Sequence, residues 1–137
     1  MATIQNGVGI DMTGVLAAAA DLKLIRSRLQ PEMRQATSRS ATNIRNGARA
    51  RWTSMTSGRT TGKYPATITM EVTIANASMV RAEIGPEKGK IGSLGHIFEF
   101  GTSRTAGKPH LVPAWEAEVD PYTVAMALAA DRAVCGL

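Results

Sequence analysis

The sequence predicts an α+β domain: two N-terminal helices and a C-terminal helix packed on a small, mainly antiparallel sheet, with two long flexible loops. Three observations carry that prediction. Apolar residues recur at steps of three and four over residues 13–52 and again over 113–132. They alternate with polar residues over 67–75 and 79–84. Stretches at 53–66 and 86–95 are rich in Gly, Ser, Thr or Pro and follow neither period.

The chain of 137 residues suits one domain, and 44% apolar with 20% charged residues is enough to build a core. Disordered and fibrous classes do not fit. One cysteine, Cys135, cannot form an internal disulfide, so the fold is expected not to depend on an oxidising compartment. No segment approaches the roughly 20 apolar residues of a membrane helix, and the first residues lack the pattern of a signal peptide. A soluble protein made in the cytoplasm, with no membrane contact, is expected.

Residues 1–10 (MATIQNGVGI) alternate small and apolar residues around Gly7 and Gly9, which suits a short strand or an arm that orders on a partner. Asp11 or Thr13 caps a first helix running to about Gln30, with Val15, Leu16, Ala19, Leu22, Ile25 and Leu29 on its apolar side. Pro31 breaks it and suits the first turn of a second helix, with Glu32 at the same positive end. That helix runs to about Trp52 on Met33, Thr37, Ala41, Ile44, Ala48 and Trp52. Its Arg34, Arg45 and Arg49 fall within roughly 60° of one another.

The loop 53–66 carries Arg59 and Lys63 with little around them to bury them. Thr67–Ala75 and Met79–Ile84 then read as an antiparallel hairpin around Asn76-Ala77-Ser78. A second basic loop, 86–95 with Lys88 and Lys90, leads into His96-Ile97-Phe98-Glu99-Phe100, a third strand bounded by Gly101. In a strand, Glu99 points away from Phe98 and Phe100, either to solvent or to meet Arg104 or an arginine of the second helix. The last helix runs from Pro113 to about Arg132, kinked or split at Pro121.

Charge is uneven. Residues 1–63 hold ten Lys/Arg and three Asp/Glu, whereas residues 64–137 hold six and eight. The face of Arg34, Arg45 and Arg49 admits three readings: a solvated surface, a grip on nucleic-acid phosphates, or a pairing with Glu116, Glu118 and Asp120 of a neighbouring copy. No aromatic interleaving or zinc pattern accompanies it to support specific base readout.

Catalytic constellations are missing from the sequence. Gly85-Pro86-Glu87-Lys88-Gly89-Lys90-Ile91 has its glycines one residue too close for a phosphate loop, and Ile91 stands where the magnesium-binding hydroxyl belongs. His96 and His110 lack metal-ligand spacing, so structural roles are expected for both. Glu116, Glu118 and Asp120, two residues apart along a helix, do not converge on one substrate. No enzymatic activity, cofactor or metal is expected.

The stretch Glu99-Phe100-Gly101-Thr102, followed by Pro109, Leu111, Pro113 and Ala114, resembles the tail-component family of long-tailed phages typified by the tenth gene product of a lambdoid phage. The resemblance also covers the order of helices, loop, hairpin and closing helix, and Thr61-Gly62 stands where the family usually has Thr-Gly. Two places depart from the family pattern: His110 replaces the usual Phe, and Lys63-Tyr64-Pro65 replaces the customary Leu-Arg.

The physics of the motif predicts a rigid corner. Gly101 allows a sharp turn, Thr102 or Ser103 hydrogen-bonds it, and Pro109 and Pro113 stiffen the connection, with Pro113 in the first turn of the last helix and Leu111 over the sheet.

The resemblance implies a neck or tail-completion protein of a virion. It would form a ring, six-fold to match the tail, between head-closure proteins and the tail tube, with DNA passing through the lumen. The tail terminator, which caps the tube, is the alternative within the same setting, and a small basic nucleic-acid-binding protein is the competitor outside it. In the ring, Arg59, Lys63, Lys88 and Lys90 belong to loops that order on partner rings, and Arg34, Arg45 and Arg49 face Glu116, Glu118 and Asp120 of the next copy.

Overall fold

A computed structural model describes residues 11–56, 63–76, 79–89 and 91–136. The expected arm at 1–10, Arg59, Thr61-Gly62, Lys90 and the hairpin turn at 77–78 lie outside the described residues. The chain is α+β, in the order α1 (Thr13–Met55), α2 (Tyr64–Thr67), β1 (Ile68–Asn76), β2 (Met79–Pro86), a 3-10 turn (Gly92–Leu94), α3 (Gly95–Phe100) and α4 (Leu111–Cys135).

In place of two N-terminal helices there is one, α1, of 43 residues and roughly 64 Å. Pro31 sits inside it, exposed to solvent. The proline forfeits one backbone hydrogen bond. Against that, the two flanking segments carry their apolar residues on one continuous side, and α4 spans the junction, with Arg132 Nη1 3.2 Å from Glu32 Oε2. Continuous packing against α4 across the junction outweighs one missing bond. At the start of α1 the N-cap is Met12, without a capping side chain, in place of the expected Asp11 or Thr13; from one residue further out Asp11 Oδ1 accepts the Thr13 N–H at 2.9 Å.

The hairpin forms as expected. β1 and β2 pair antiparallel from Ile68 opposite Pro86 to Ile74 opposite Val80, with an irregularity between Ile74 and Asn76 before the turn. Ile68 is fully buried and Met70 and Val72 are half-buried, while Glu71 and Thr73 are exposed. The sheet rests on the C-terminal part of α1, where the Arg49 guanidinium donates to the Ile68 carbonyl at 2.7 and 3.1 Å. Arg49 is therefore spent inside the chain, and the basic face loses one of its three members.

The third strand is not formed. His96–Phe100 belongs to α3, so among the described residues the sheet has two strands. A five-residue segment between two glycines, with Ile97, Phe98 and Phe100 apolar, is too short for periodicity to distinguish strand from helix, and here the helix wins because it turns Glu99 inward. α4 begins at Leu111, ahead of the predicted Pro113, and continues through the exposed Pro121 without a break. The loops are shorter than expected. α1 extends to Met55, Tyr64 in α2 is fully buried, and Gly92 is buried so close to the Glu87 carbonyl that a Cβ would lie 1.9 Å from it.

The core gathers Ile44, Ala48 and Trp52 of α1, Tyr64, Ile68 and Ala114, with Ile84, Ile91, Phe98 and Leu111 packed around them. Trp52 is its centre, its ring 4.6 Å from Tyr64, 4.9 Å from Phe98 and 5.1 Å from His110. α4 runs antiparallel along α1, with Tyr122 Oη 3.2 Å from Thr37 Oγ1. Among the described residues no helix is long and apolar enough to cross a membrane.

Candidate functional site

Most of the motif residues assemble around one corner, and its keystone is Glu99. The start of an α-helix leaves four backbone N–H groups without intrahelical acceptors. At the start of α4 these are the N–H groups of His110, Leu111 and Val112, and Pro113, which has none. Glu99 Oε2 accepts from His110 at 2.9 Å and Leu111 at 3.0 Å, and Oε1 from Val112 at 3.0 Å. One carboxylate and one proline thus account for all four positions. The helix dipole adds to the attraction.

Glu99 is 4% exposed. Burial works to raise its pKa, but the three backbone donors, with His110 beside it, hold the carboxyl below its ordinary value. It meets neither Arg104 nor an arginine of α1, contrary to the strand reading, because α3 turns it toward α4. Since this chain's own carboxylate fills the N-terminus of α4, that end is closed to an external anion.

The chain enters the corner through Gly101, whose φ of +76° is a conformation that L side chains rarely adopt. A Cβ there would also lie 2.4 Å from the Gly107 nitrogen. Thr102 closes the turn as expected: its hydroxyl accepts from the Thr105 N–H at 3.1 Å and the Arg104 N–H at 3.3 Å, while its own N–H donates to the Thr105 carbonyl at 2.8 Å. Lys108 N–H then returns to the Phe98 carbonyl at 2.7 Å. Leu111 and Ala114 pack into the core, Pro109 is exposed, and Phe100 stands 75% exposed on the outer side of α3.

His110 is fully buried beneath the corner. Its Nδ1 faces two acceptors, the Lys108 carbonyl at 2.8 Å and Glu99 Oε2 at 2.9 Å, so it carries a proton. In the neutral ring Nε2 then accepts from the Tyr64 hydroxyl, 2.9 Å away. Burial, aided by the Glu99 carboxylate, pushes the Tyr64 pKa up to about 12, which keeps the phenol a donor. Tyr64, missed as a functional position in the sequence, meets His110: the Lys63–Pro65 segment supplies the hydroxyl that His110 requires. No single-residue signal marks that pairing in one sequence.

The expected subunit-interface residues are scattered. Arg34, Glu116 and Asp120 are exposed, and half-buried Arg45 donates from Nε to Asn46 Oδ1 at 3.2 Å. Glu118 is engaged within the chain, accepting from Asn43 Nδ2 at 3.0 Å. Lys63 and Lys88 are exposed. Among the described residues no group of His, Cys, Asp and Glu is placed to hold a metal ion.

Apolar surface is the other conspicuous feature, and the sequence reading assigned it no role. A cavity of about 300 Å³ opens between α1, β2 and α4, with Trp115 and Tyr122 on its α4 side. At the far end of α1, Leu16 and Leu22 are 67% and 66% exposed. No protein-family model, curated protein or solved structure matches the chain.

Proposed function

We propose that the chain is a structural connector in the neck of a long-tailed phage, a tail-completion protein acting as a ring between head-closure proteins and tail tube. The observation that carries this reading is the Glu99 corner. The residues that resemble the tail-component motif have one joint physical task, which is to lock α3 to the start of α4, so the motif is accounted for as architecture without any substrate. The compensation between Tyr64 and His110 supports it, since the two departures from the family pattern cancel each other in the core. In this reading the protein performs no chemistry, resides in the virion and is made in the host cytoplasm.

Electron microscopy of a lysate from a phage lacking this gene, beside a complemented control, tests the assignment. Filled heads free of tails are expected, together with unjoined tails. Tails of abnormal length would move the assignment to the tail terminator, and normal infectious virions would overturn it.

A second reading, a nucleic-acid-binding protein, is favoured by one observation. Lys23, Arg34 and Arg45 recur at eleven-residue spacing along one side of α1, within roughly 40° of one another. None of the three forms an ion pair among the described residues. DNA binding by the isolated chain that weakens steeply with salt, without any assembly of the chain, would replace the connector reading with this one.

A further inference from the structure

Two exposed surfaces have no task inside the chain, and their charges are opposite. The first is the outside of the Glu99 corner. α3 sends Phe98 into the core and Glu99 toward α4, which leaves Phe100 facing outward with 75% of its surface open. The cap and the turn are made by Glu99 and Thr102 and use no atom of the Phe100 ring. Among the described residues that ring also makes no aromatic contact.

The turn holds cations beside it. The loop leaves at Gly101 and returns at Gly107, so closely that a Cβ on Gly107 would lie 2.6 Å from the Phe100 carbonyl carbon. Arg104 stands in that loop and Lys108 follows its return, both exposed and neither in an ion pair among the described residues. Between Lys88 and Trp115 the only acidic side chain is Glu99, which is buried. The corner therefore presents one large aromatic side chain among uncompensated positive charges.

The second surface is the side of α4 that faces away from the body. Ala114, Ala129 and Ala133 mark its buried side. Asp120, Val124, Leu128 and Asp131 lie within roughly 80° of one another, on a side centred roughly 140° from the buried one. Val124 and Leu128 are 60% and 49% exposed. Asp120 and Asp131, eleven residues or roughly 16 Å apart along the axis, are exposed and form no ion pair among the described residues. Carboxylates and apolar residues thus share one face, an apolar step with a negative charge at each end. No Lys or Arg lies between Leu111 and Asp131, and Arg132 is turned to Glu32.

We infer that the corner of one copy seats on the outer side of α4 of the next, with Phe100 between Val124 and Leu128 and with Arg104 and Lys108 toward Asp120 and Asp131. Charge selects the occupant. Each surface repels another of its own kind and attracts the other, so the contact joins unlike faces of identical chains, and such a contact closes a ring when its rotation does. Phe100 supplies the burial and the charges supply the orientation, since exposed ion pairs are worth little by themselves. The inference rests on the connector reading in taking the contact to close. Of the interface residues expected from the sequence it keeps Asp120, and Arg104 and Lys108 take the place of Arg34, Arg45 and Arg49.

Sedimentation of the purified full chain over a range of concentrations tests it, with circular dichroism and thermal melts to establish that each variant is folded. The wild-type chain should assemble as concentration rises. Phe100→Ser and Val124→Asp should each weaken assembly at least tenfold. The two variants mixed should form a dimer and nothing larger, because one intact contact remains between them. Arg104→Glu with Lys108→Glu should weaken assembly too, and adding Asp120→Lys with Asp131→Lys to that chain should restore it. Assembly that survives both Phe100→Ser and Val124→Asp would overturn the interface and leave the ring standing. Loss with Phe100→Ser alone, without response to Val124→Asp or to the charge exchange, would overturn α4 as the seat of the corner. A chain monomeric at every concentration would also overturn the interface, and the deletion phenotype would still decide the connector reading.

Discussion

The two halves of α1 carry the same apolar stripe and meet different fates. From Glu32 to Met55 the stripe is covered by the hairpin, by α4 and by the aromatic core around Trp52, whereas from Thr13 to Ile25 it is bare or barely covered. Propensity does not separate them: the bare half, an arm reaching past the end of α4, with Ala17–Ala20 and four leucines in Thr13–Leu29, is the better helix former. About 15 residues is near the length at which an isolated helix is marginal in water. The arm holds its shape because the body has already supplied the costly first turns, and the arm only propagates them. Periodicity states that a face is to be covered, and only packing states by what.

The sharpest way to break the body half without touching the arm is Glu99→Ala. Removing the carboxylate strands three backbone N–H groups and the buried His110, and about 3–5 kcal/mol of unfolding free energy should be lost. Urea denaturation reads this directly, and a loss below 1 kcal/mol would mean that the corner does not hold the fold.

Its pH dependence sharpens the point. Because the folded carboxyl titrates below its ordinary value of 4.5, its contribution is complete above that value and fades as pH falls through the lower, folded value. The gap in melting temperature between wild type and Glu99→Gln should be widest near neutrality and narrow below about pH 4.5. A gap independent of pH would remove the charge from the explanation.

Tyr64 and His110 offer the next largest effect. Tyr64→Phe leaves the buried His110 Nε2 without its donor, and His110→Phe leaves a buried phenol without its acceptor, each at a cost of about 1–3 kcal/mol. Together they make an apolar contact of similar shape, so the double variant should cost less than the sum, with a coupling of about 1–2 kcal/mol. Strict additivity in unfolding measurements would show that the 2.9 Å contact carries no energy.

These residues also show how far the sequence can be read. The hairpin was legible because alternation over Ile68, Met70, Val72 and Ile74 has one structural meaning. The turn was legible because Gly101 and Thr102 act on their immediate neighbours. Glu99 was misread because a segment of five residues fits two periods, and what decides between them is the start of α4, eleven to thirteen residues away in sequence. Pro31 was misread because the local rule for proline is sound but small: it removes one bond, and the packing of α4 across the junction outweighs it. The bare arm was invisible, since exposure depends on where α4 stops running along α1.

Pro31 marks the join between the two halves, and replacing it tests whether they form one cooperative helix. Pro31→Ala restores an intrahelical donor and removes a ring that crowds the preceding turn, offset by the greater freedom of the unfolded chain. A gain of about 1–2 kcal/mol is expected, with the helical signal of the arm melting closer to that of the body. A loss of stability would mean that the proline sets a bend on which the seating of α4 depends.

The smallest effect is the most informative about the arm. Ile44→Ala, in the covered half and 5% exposed, should cost the dilute chain about 2–4 kcal/mol. Leu22→Ala, on the same stripe and 66% exposed, should change the stability of the dilute chain by less than about 0.5 kcal/mol. If assembly of the chain covers the arm, the variant should fall behind wild type in concentrated solution, as mass action adds the free energy of association to the stability of the folded state. A Leu22→Ala chain that is destabilised equally when dilute and when concentrated would place the partner of the arm within its own chain and erase the difference between the two halves of α1.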